Sequence, residues 1–347
     1  MLHFKRALKA ILFVVIFLVL SAMMGMAMKF KETKSEAMLE RYSQAQDIDT
    51  IILGNSVAEM VQPDLLDELC GYHSFNMTTP DQSYSVGIRE MKMVASQQPL
   101  KRVVLYTTFD AGPNANSETI DRIFDRTIDA AGPMSRRLPR KIQKNLKKSL
   151  DSDVVTTEES INLWIPWTSE AADSLETAWG NFKYRVKRLA RGERLSGKVV
   201  RDLNDHTNPV KEPLLTEEEN ARLQEDIEAM HALPIPDGMM TDAELTELAT
   251  MCAFCSDNDI DFAVLISPHR TDYYERYSGY RDYTVIMDEF LNEFITSRGF
   301  EYYNFEQNGD LHKFLPDDYF YDFEHVQDEY AGRATELIAE KLLELFR

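Results

Sequence analysis

Residues 49–60 read DTIILGNSVAEM. The apolar run Ile51-Ile52-Leu53 has strand character and stops at Gly54-Asn55-Ser56, after which Val57, Met60 and Val61 share a helical face. Ser56 at this strand-to-helix turn has two readings. It is an N-cap, a position that serine favours, or it is a nucleophile displayed at the carboxyl end of a strand, where doubly wound sheets place their sites. In the second reading its own N–H belongs to the N-terminal end of the next helix and favours an oxyanion.

The alternation continues along the chain. Short, nearly continuous apolar runs rich in Val, Ile and Tyr lie at 102–108, 262–267 and 300–305, with 72–76 a weaker one. Such runs suit a parallel sheet covered on both faces. Helical spacing separates them: Ile88, Met91, Val94 and Ala95; then Leu245, Leu248, Met251 and Cys252; then 283–297; and a terminal amphipathic stretch through Ala334, Leu337, Ile338 and Leu342. Strand alternating with helix predicts an α/β three-layer domain over 49–347. The pattern breaks at about 111–241, which is helical in composition and reads as an insertion, a cap over the active-site edge. It holds RRLPRKIQKNLKK (136–148), a second basic stretch over 183–201, and NLWIPW (162–167). A charge run is usually a solvated helix face; contact with lipid head groups or an anionic polymer is the other reading of these two.

The N-terminus is of another kind. No charged residue falls between Ala10 and Met28. Nineteen helical residues span roughly 28 Å, close to a bilayer core. Lys5, Arg6 and Lys9 precede the run, so residues 1–34 are expected to be a cytoplasmic stub and an uncleaved membrane anchor, with 35–48 a polar stalk and the bulk of the chain extracytoplasmic. A cleaved signal peptide is the rival: Gly25-Met26-Ala27 resembles a cleavage site but lacks a polar spacer. Residues 1–34 carry +5 against −20 for the whole chain, which leaves −25 on the remainder. That balance argues against nucleic acid as a partner. Cys252 and Cys255 form C-x-x-C in a helical stretch with no second pair to complete a zinc site. They read as buried helix cysteines, with a disulfide in an exported domain the other reading, and neither metal nor cofactor is expected.

A serine nucleophile needs a base, and the base an orienting acid. Of seven histidines, His325 in YFYDFEHVQDEYAG follows the last strand and precedes the last helix, with Asp322 three residues before it. His269 in LISPHR also follows a strand and is the reserve. Gly54-Asn55-Ser56 after the first strand, with Asp-x-x-His before the last helix, resembles the SGNH (GDSL-type) hydrolase superfamily. The resemblance covers about 50–110 and 260–347. It implies a flavodoxin-like three-layer sandwich in which Ser56 is the nucleophile, His325 the general base and Asp322 its orienting carboxylate. SFNMTTPDQSYS resembles the second block of that family through Asn76 and Ser83. By that resemblance the Asn76 amide joins the Ser56 N–H in the oxyanion hole. The sequence departs from the family in carrying Asn55 where aspartate is common. It lacks the second-block glycine, and TTFDAGPN supplies only Asp110 or Asn114 for the third block.

The anchor, the stalk and the insertion resemble a single-pass branch that includes the D-alanine transfer protein of teichoic acid synthesis and accessory proteins of polysaccharide O-acetylation. That branch works beside a membrane-bound O-acyltransferase. The implied chemistry is ester hydrolysis or acyl transfer on a cell-envelope polymer. A non-catalytic SGNH-shaped partner that binds polymer or docks on the acyltransferase is the alternative.

Overall fold

The computed structural model describes residues 34–80, 82–109, 175–190, 207–234, 240–276, 280–306 and 315–347, with helical positions scattered between 6 and 24. In chain order the elements are α1 (Lys34–Tyr42), β1 (Thr50–Leu53), a 3₁₀ turn (Ser56–Met60), α2 (Pro63–Cys70), β2 (Ser74–Asn76), α3 (Tyr84–Gln97) and β3 (Arg102–Thr107). They continue with α4 (Leu175–Ala190), α5 (Glu217–His231), α6 (Asp242–Asp257), β4 (Asp261–Ile266), α7 (Thr271–Arg276), α8 (Tyr280–Thr296), β5 (Glu301–Asn304) and α9 (Ala331–Leu345). The chain divides into two compact units, residues 1–37 with 127–202 and residues 38–126 with 203–347.

The second unit is built on a five-stranded sheet in the order β2-β1-β3-β4-β5. Every pairing is parallel, with Ile51 opposite Val103 and Val104 opposite Ala263. Helices cover both faces. Ile52, Val104 and Leu265 point to the side of α2 and α9, into a core with Leu66, Leu337, Ile338 and Leu342. On the other face Leu53 lies beside Gly87 of α3 and Met251 of α6. Along β1, β3 and β4 residues alternate between two helical layers and are buried at every position after the first of β3 and β4, which is why these runs read as continuously apolar. The order reverses between β1 and β3, and the crevice beyond their carboxyl ends is the switch point at which such sheets bind ligands.

Two boundaries move. The stalk expected at 35–48 is, from residue 38, part of the folded unit. Met38, Leu39 and Tyr42 share one face of α1 and are buried, and the Tyr42 hydroxyl donates to Gln97 Oε1 at 3.0 Å. The polar composition that suggested a stalk belongs to the opposite face. At the other end of the insertion, Thr207 N and Asn208 N donate to Ser96 O of α3 at 2.9 and 2.8 Å. Helix α5 starts at a Thr216–Glu219 capping box and buries Leu223, Ile227 and Met230. Residues 207–241, where described, therefore belong to the α/β unit. The stretches 136–148 and 162–167 lie outside the described residues, as does most of the apolar run 10–28. Among the described residues no helix is long and apolar enough to cross a membrane.

Cys252 and Cys255 are both free and buried in α6. Burial pushes the Cys252 thiol up to about 12, and Cys255 well above its usual range. They are core residues.

Candidate active site

The turn after β1 is shaped by Gly54. Its φ is +144°, and a Cβ built there would lie 1.9 Å from the backbone oxygen of Tyr106 on β3. Only glycine lets the two chains pass this closely. The Gly54 N–H is received by Gln82 Oε1 at 2.9 Å. Asn55, not Ser56, occupies the N-cap position, and it makes no side-chain capping bond. Its amide instead donates to Thr108 Oγ1 at 3.3 Å, tying the turn after β1 to the turn after β3. The next element is a five-residue 3₁₀ turn rather than the α-helix that the spacing of Val57, Met60 and Val61 suggests; the α-helix waits for Pro63. A turn that short supplies little dipole, so the expected helix-end assistance to an oxyanion is not present.

His325 reaches this turn from far along the chain. Residues 320–326 form a closed loop in which Phe320 and Val326 pair as an antiparallel bridge and bury their side chains in the core. Tyr321 N donates to His325 O at 3.0 Å across the loop. Asp322 organises its interior: Oδ1 accepts from the N–H groups of Glu324 and His325 at 2.9 and 2.8 Å. Oδ2 lies 2.8 Å from His325 Nδ1, and His325 Nε2 lies 2.7 Å from Ser56 Oγ. The three side chains that sequence reasoning picked out thus form one hydrogen-bonded chain across 269 residues of sequence separation.

The protonation of this chain is set by its partners. Partial burial works to raise the Asp322 carboxyl, but the two backbone N–H bonds and then the His325 ring outweigh it and hold the group below its usual range. An ionised Asp322 only accepts, so Nδ1 of His325 carries the proton. Nε2 is left to accept from the serine hydroxyl.

The other predicted residues are placed differently. Asn76 Nδ2 donates to Ala58 O at 2.8 Å and to Val61 O at 3.0 Å, and its Oδ1 accepts from Thr78 N and Thr78 Oγ1. Both amide hydrogens are spent on the carbonyls that end the 3₁₀ turn, Ala58 O being shared with the Val61 N–H at 3.2 Å. Asn76 clamps the turn that carries Ser56 and does not aim its amide at an oxyanion site, contrary to the expectation. Ser83 caps α3, accepting from Val86 N. His269 is fully buried, with Nδ1 2.8 Å from Glu306 Oε1 and its ring stacked on Tyr273. It serves the fold next to the site: the following N–H, of Arg270, donates to Phe323 O at 2.7 Å and braces the Asp322–His325 loop. Asp110 and Asn114 lie outside the described residues.

Four neighbours escaped the sequence reading. Tyr321 is 65% exposed and stacks on the His325 ring at 5.3 Å between centroids. A Glu324 carboxylate oxygen stands 3.8 Å from His325 Nδ1. Behind the turn, Gln82 Nε2 donates to Met77 O and to Glu90 Oε2, at 3.1 and 2.8 Å. Glu90 is fully buried on α3 among Val86, Met93 and Val94, and an acid at that spacing on an apolar face was the available signal. Burial pushes its carboxyl well above 4.5, against the weaker pull of Gln82 and Arg89. Binding that proton stabilises the fold below the unfolded value near 4.5, and the contribution is lost as pH rises through the folded value. Glu90→Gln is therefore expected to match the wild type near pH 4.5 and to gain on it above that, by up to about 1.4 kcal/mol per pH unit within the window. Melting temperatures measured from pH 4.5 to 8 check this; a constant offset would mean that Glu90 is ionised in the fold.

Compared with protein-family models and with curated proteins, the chain finds no match in either.

Proposed function

We propose that this protein is a serine-dependent ester hydrolase or O-acyltransferase of the SGNH kind, acting on acyl esters of a cell-envelope polysaccharide or teichoic-type polymer. The observation that carries the reading is the bonded chain Ser56–His325–Asp322 at the carboxyl end of β1. The parallel order 2-1-3-4-5, which is that of flavodoxin-like sheets, supports it. Ser56 Oγ attacks the ester carbonyl while its proton passes to His325 Nε2. Asp322 holds the ring in the required tautomer and stabilises the imidazolium. His325 then returns the proton to the departing alkoxide, which leaves an acyl-Ser56 ester. A sugar hydroxyl or a water, deprotonated by the same nitrogen, releases the acyl group.

The N-terminal sequence supports a single-pass anchor with the catalytic unit outside the membrane, and the resemblance implies a membrane-bound O-acyltransferase beside it. One observation favours the second reading, a non-catalytic binding domain. The Asn76 amide is engaged elsewhere, so the Ser56 N–H lacks the companion donor expected for it. A fluorophosphonate probe separates the two. Stoichiometric labelling, located to the peptide containing Ser56 and lost in His325→Gln, supports the enzyme. Absence of labelling in the folded wild-type protein supports the binding domain.

Asp322 is partly solvated, its side chain 40% exposed. Asp322→Asn is therefore expected to lower kcat/KM by about 10²–10⁴-fold, less than loss of the nucleophile. Equal losses would mean that the orienting carboxylate acts as an indispensable partner. Charge around the site is expected to bear on substrate choice. Partial burial and then the carboxylates of Asp322, Glu324, Glu59 and Asp328 raise the Tyr321 hydroxyl, which places negative charge around the ring that stacks on His325. Neutral or cationic acyl groups are expected to react severalfold faster than anionic ones of the same size, with the gap closing as salt is raised. Paired p-nitrophenyl esters assayed at low and high ionic strength give the ratio, and a salt-independent ratio overturns the prediction.

A further inference from the structure

Fourteen large hydrophobic residues are exposed among the described residues, and nine of them fall in the first compact unit. Seven lie between Leu12 and Met24; the other two, Trp179 at 57% and Val186 at 43%, are on α4. The sequence of this helix, LETAWGNFKYRVKRLA, places Leu175, Trp179, Phe182, Val186 and Leu189 at steps of four, three, four and three. At about 100° per residue these positions make one stripe roughly 80° wide. The positions of Lys183 and Arg185 border the stripe on its two sides, with those of Lys187 and Arg188 beyond them. Four basic residues and one acid give the helix +3 in a chain of −20. Trp179 and Phe182 stack with 5.7 Å between centroids, and the Lys183 ammonium lies over the Trp179 ring at 5.1 Å. Trp179, Lys183, Val186 and Lys187 are all exposed.

We propose that α4 lies in the plane of an anionic lipid surface, with the Trp179–Val186 stripe in the acyl-chain boundary and its lysines at the phosphates. The helix is too short to span: 16 residues reach about 24 Å, and it carries five charges. A narrow apolar stripe bordered by basic residues and bearing a tryptophan is the pattern of a helix at the membrane interface, where an indole sits with its apolar body inside and its N–H at the head groups. A protein groove as the occupant would have to supply acids along both borders of the stripe, whereas a phosphate surface supplies negative charge on both sides at once. The same compact unit holds the uncharged N-terminal run, which gives that unit a second apolar, basic-flanked element. The lipid contact does not depend on the ester chemistry. It adds to the anchor a second attachment, one that would hold the unit against the bilayer rather than leave it on a tether.

The test uses the full chain with Trp164→Phe and Trp167→Phe, which leaves Trp179 as the one tryptophan. It is reconstituted into vesicles of phosphatidylcholine alone or with about one third phosphatidylglycerol, with and without brominated acyl chains. In the anionic vesicles Trp179 emission is expected to shift to the blue and to fall roughly twofold or more with brominated lipid, while aqueous iodide loses access to it. Lys183→Glu with Lys187→Glu, with helicity checked by circular dichroism, is expected to bring the quenching down to the phosphatidylcholine level. Trp179 open to iodide and untouched by bromine in both vesicles overturns the proposal. Trp179 shielded from both quenchers overturns it too, since a protein surface then covers the stripe. Bromine quenching equal in the two vesicle types and unchanged by salt overturns the assignment of the lysines to phosphates.

Discussion

Ser56→Ala is expected to lower kcat/KM towards a neutral activated ester by about 10⁵-fold, with KM little changed and covalent probe labelling abolished. The geometry sets the size. The hydroxyl is bonded at 2.7 Å to a base that is itself bonded to a carboxylate, so the Ser56 oxygen is the one atom that the rest of the arrangement serves. Members of such a unit do not contribute additively; without the nucleophile the base and the carboxylate have nothing to activate. The same substitution is expected to leave the melting temperature nearly unchanged. Ser56 caps no helix, and the bond it loses is replaceable by water at a half-exposed position. That split distinguishes chemistry from folding. A Ser56→Ala protein that keeps a tenth or more of the activity would mean that hydrolysis proceeds elsewhere, and Ser56 would revert to a hydrogen bond in the turn.

Gly54→Ala should be the most damaging single methyl in the described part of the chain, at about 4 kcal/mol or more. Two independent costs add. The backbone is at φ +144°, a region that L side chains rarely adopt, and the new carbon would sit 1.9 Å from the Tyr106 carbonyl oxygen. A side chain could rotate away from such a contact, but a carbonyl in the middle of a sheet cannot. The β1–β3 pairing would have to open at the end that carries Ser56. Gly71→Ala is the control. It also has positive φ, +70°, yet nothing lies within 4 Å of the added carbon, so only the conformational cost of about 1–2 kcal/mol remains. Urea unfolding of the two variants beside the wild type reads the difference. Equal losses would show that strain at φ alone, and not the approach to Tyr106, makes glycine necessary. If Gly54→Ala fails to accumulate as folded protein while Gly71→Ala does, the prediction also stands.

Lipid-surface binding by α4 and catalysis at Ser56 have separate readouts, so one reading can fail without the other.

Most of the fold was legible because its information is local. Ile51–Leu53, Val103–Tyr106 and Phe262–Ile266 are apolar at every position, and only a sheet covered on both faces needs that. Helical spacing between them forces crossovers and hence parallel pairing. Asp322 and His325 were legible for the same reason: three residues apart in a closed loop, they meet through short-range geometry. Gly54-Asn55-Ser56 at a strand end marked the turn. The less legible features all depend on neighbours that spacing does not reveal. Polar residues in 35–48 suggested a stalk, but Met38, Leu39 and Tyr42 face a core whose presence above them only the folded sheet discloses. The spacing after Ser56 suggested a helix, but the turn stays 3₁₀, and the carbonyls of Ala58 and Val61 at its end take the Asn76 amide. His269 looked like a reserve base until β5 brought Glu306 against it.

The sequence by itself determined the alternation of strand and helix, the serine at the end of the first strand, and the local pairing of aspartate with histidine, because each is decided by contacts within a few residues. Only the tertiary structure decided that His325 Nε2 reaches Ser56, that Asn76 does not serve an oxyanion, and that a buried Gln82–Glu90 pair backs the turn. The direction of a side chain is set by which donors and acceptors the surrounding backbone leaves unsatisfied, and those come from segments distant in the chain.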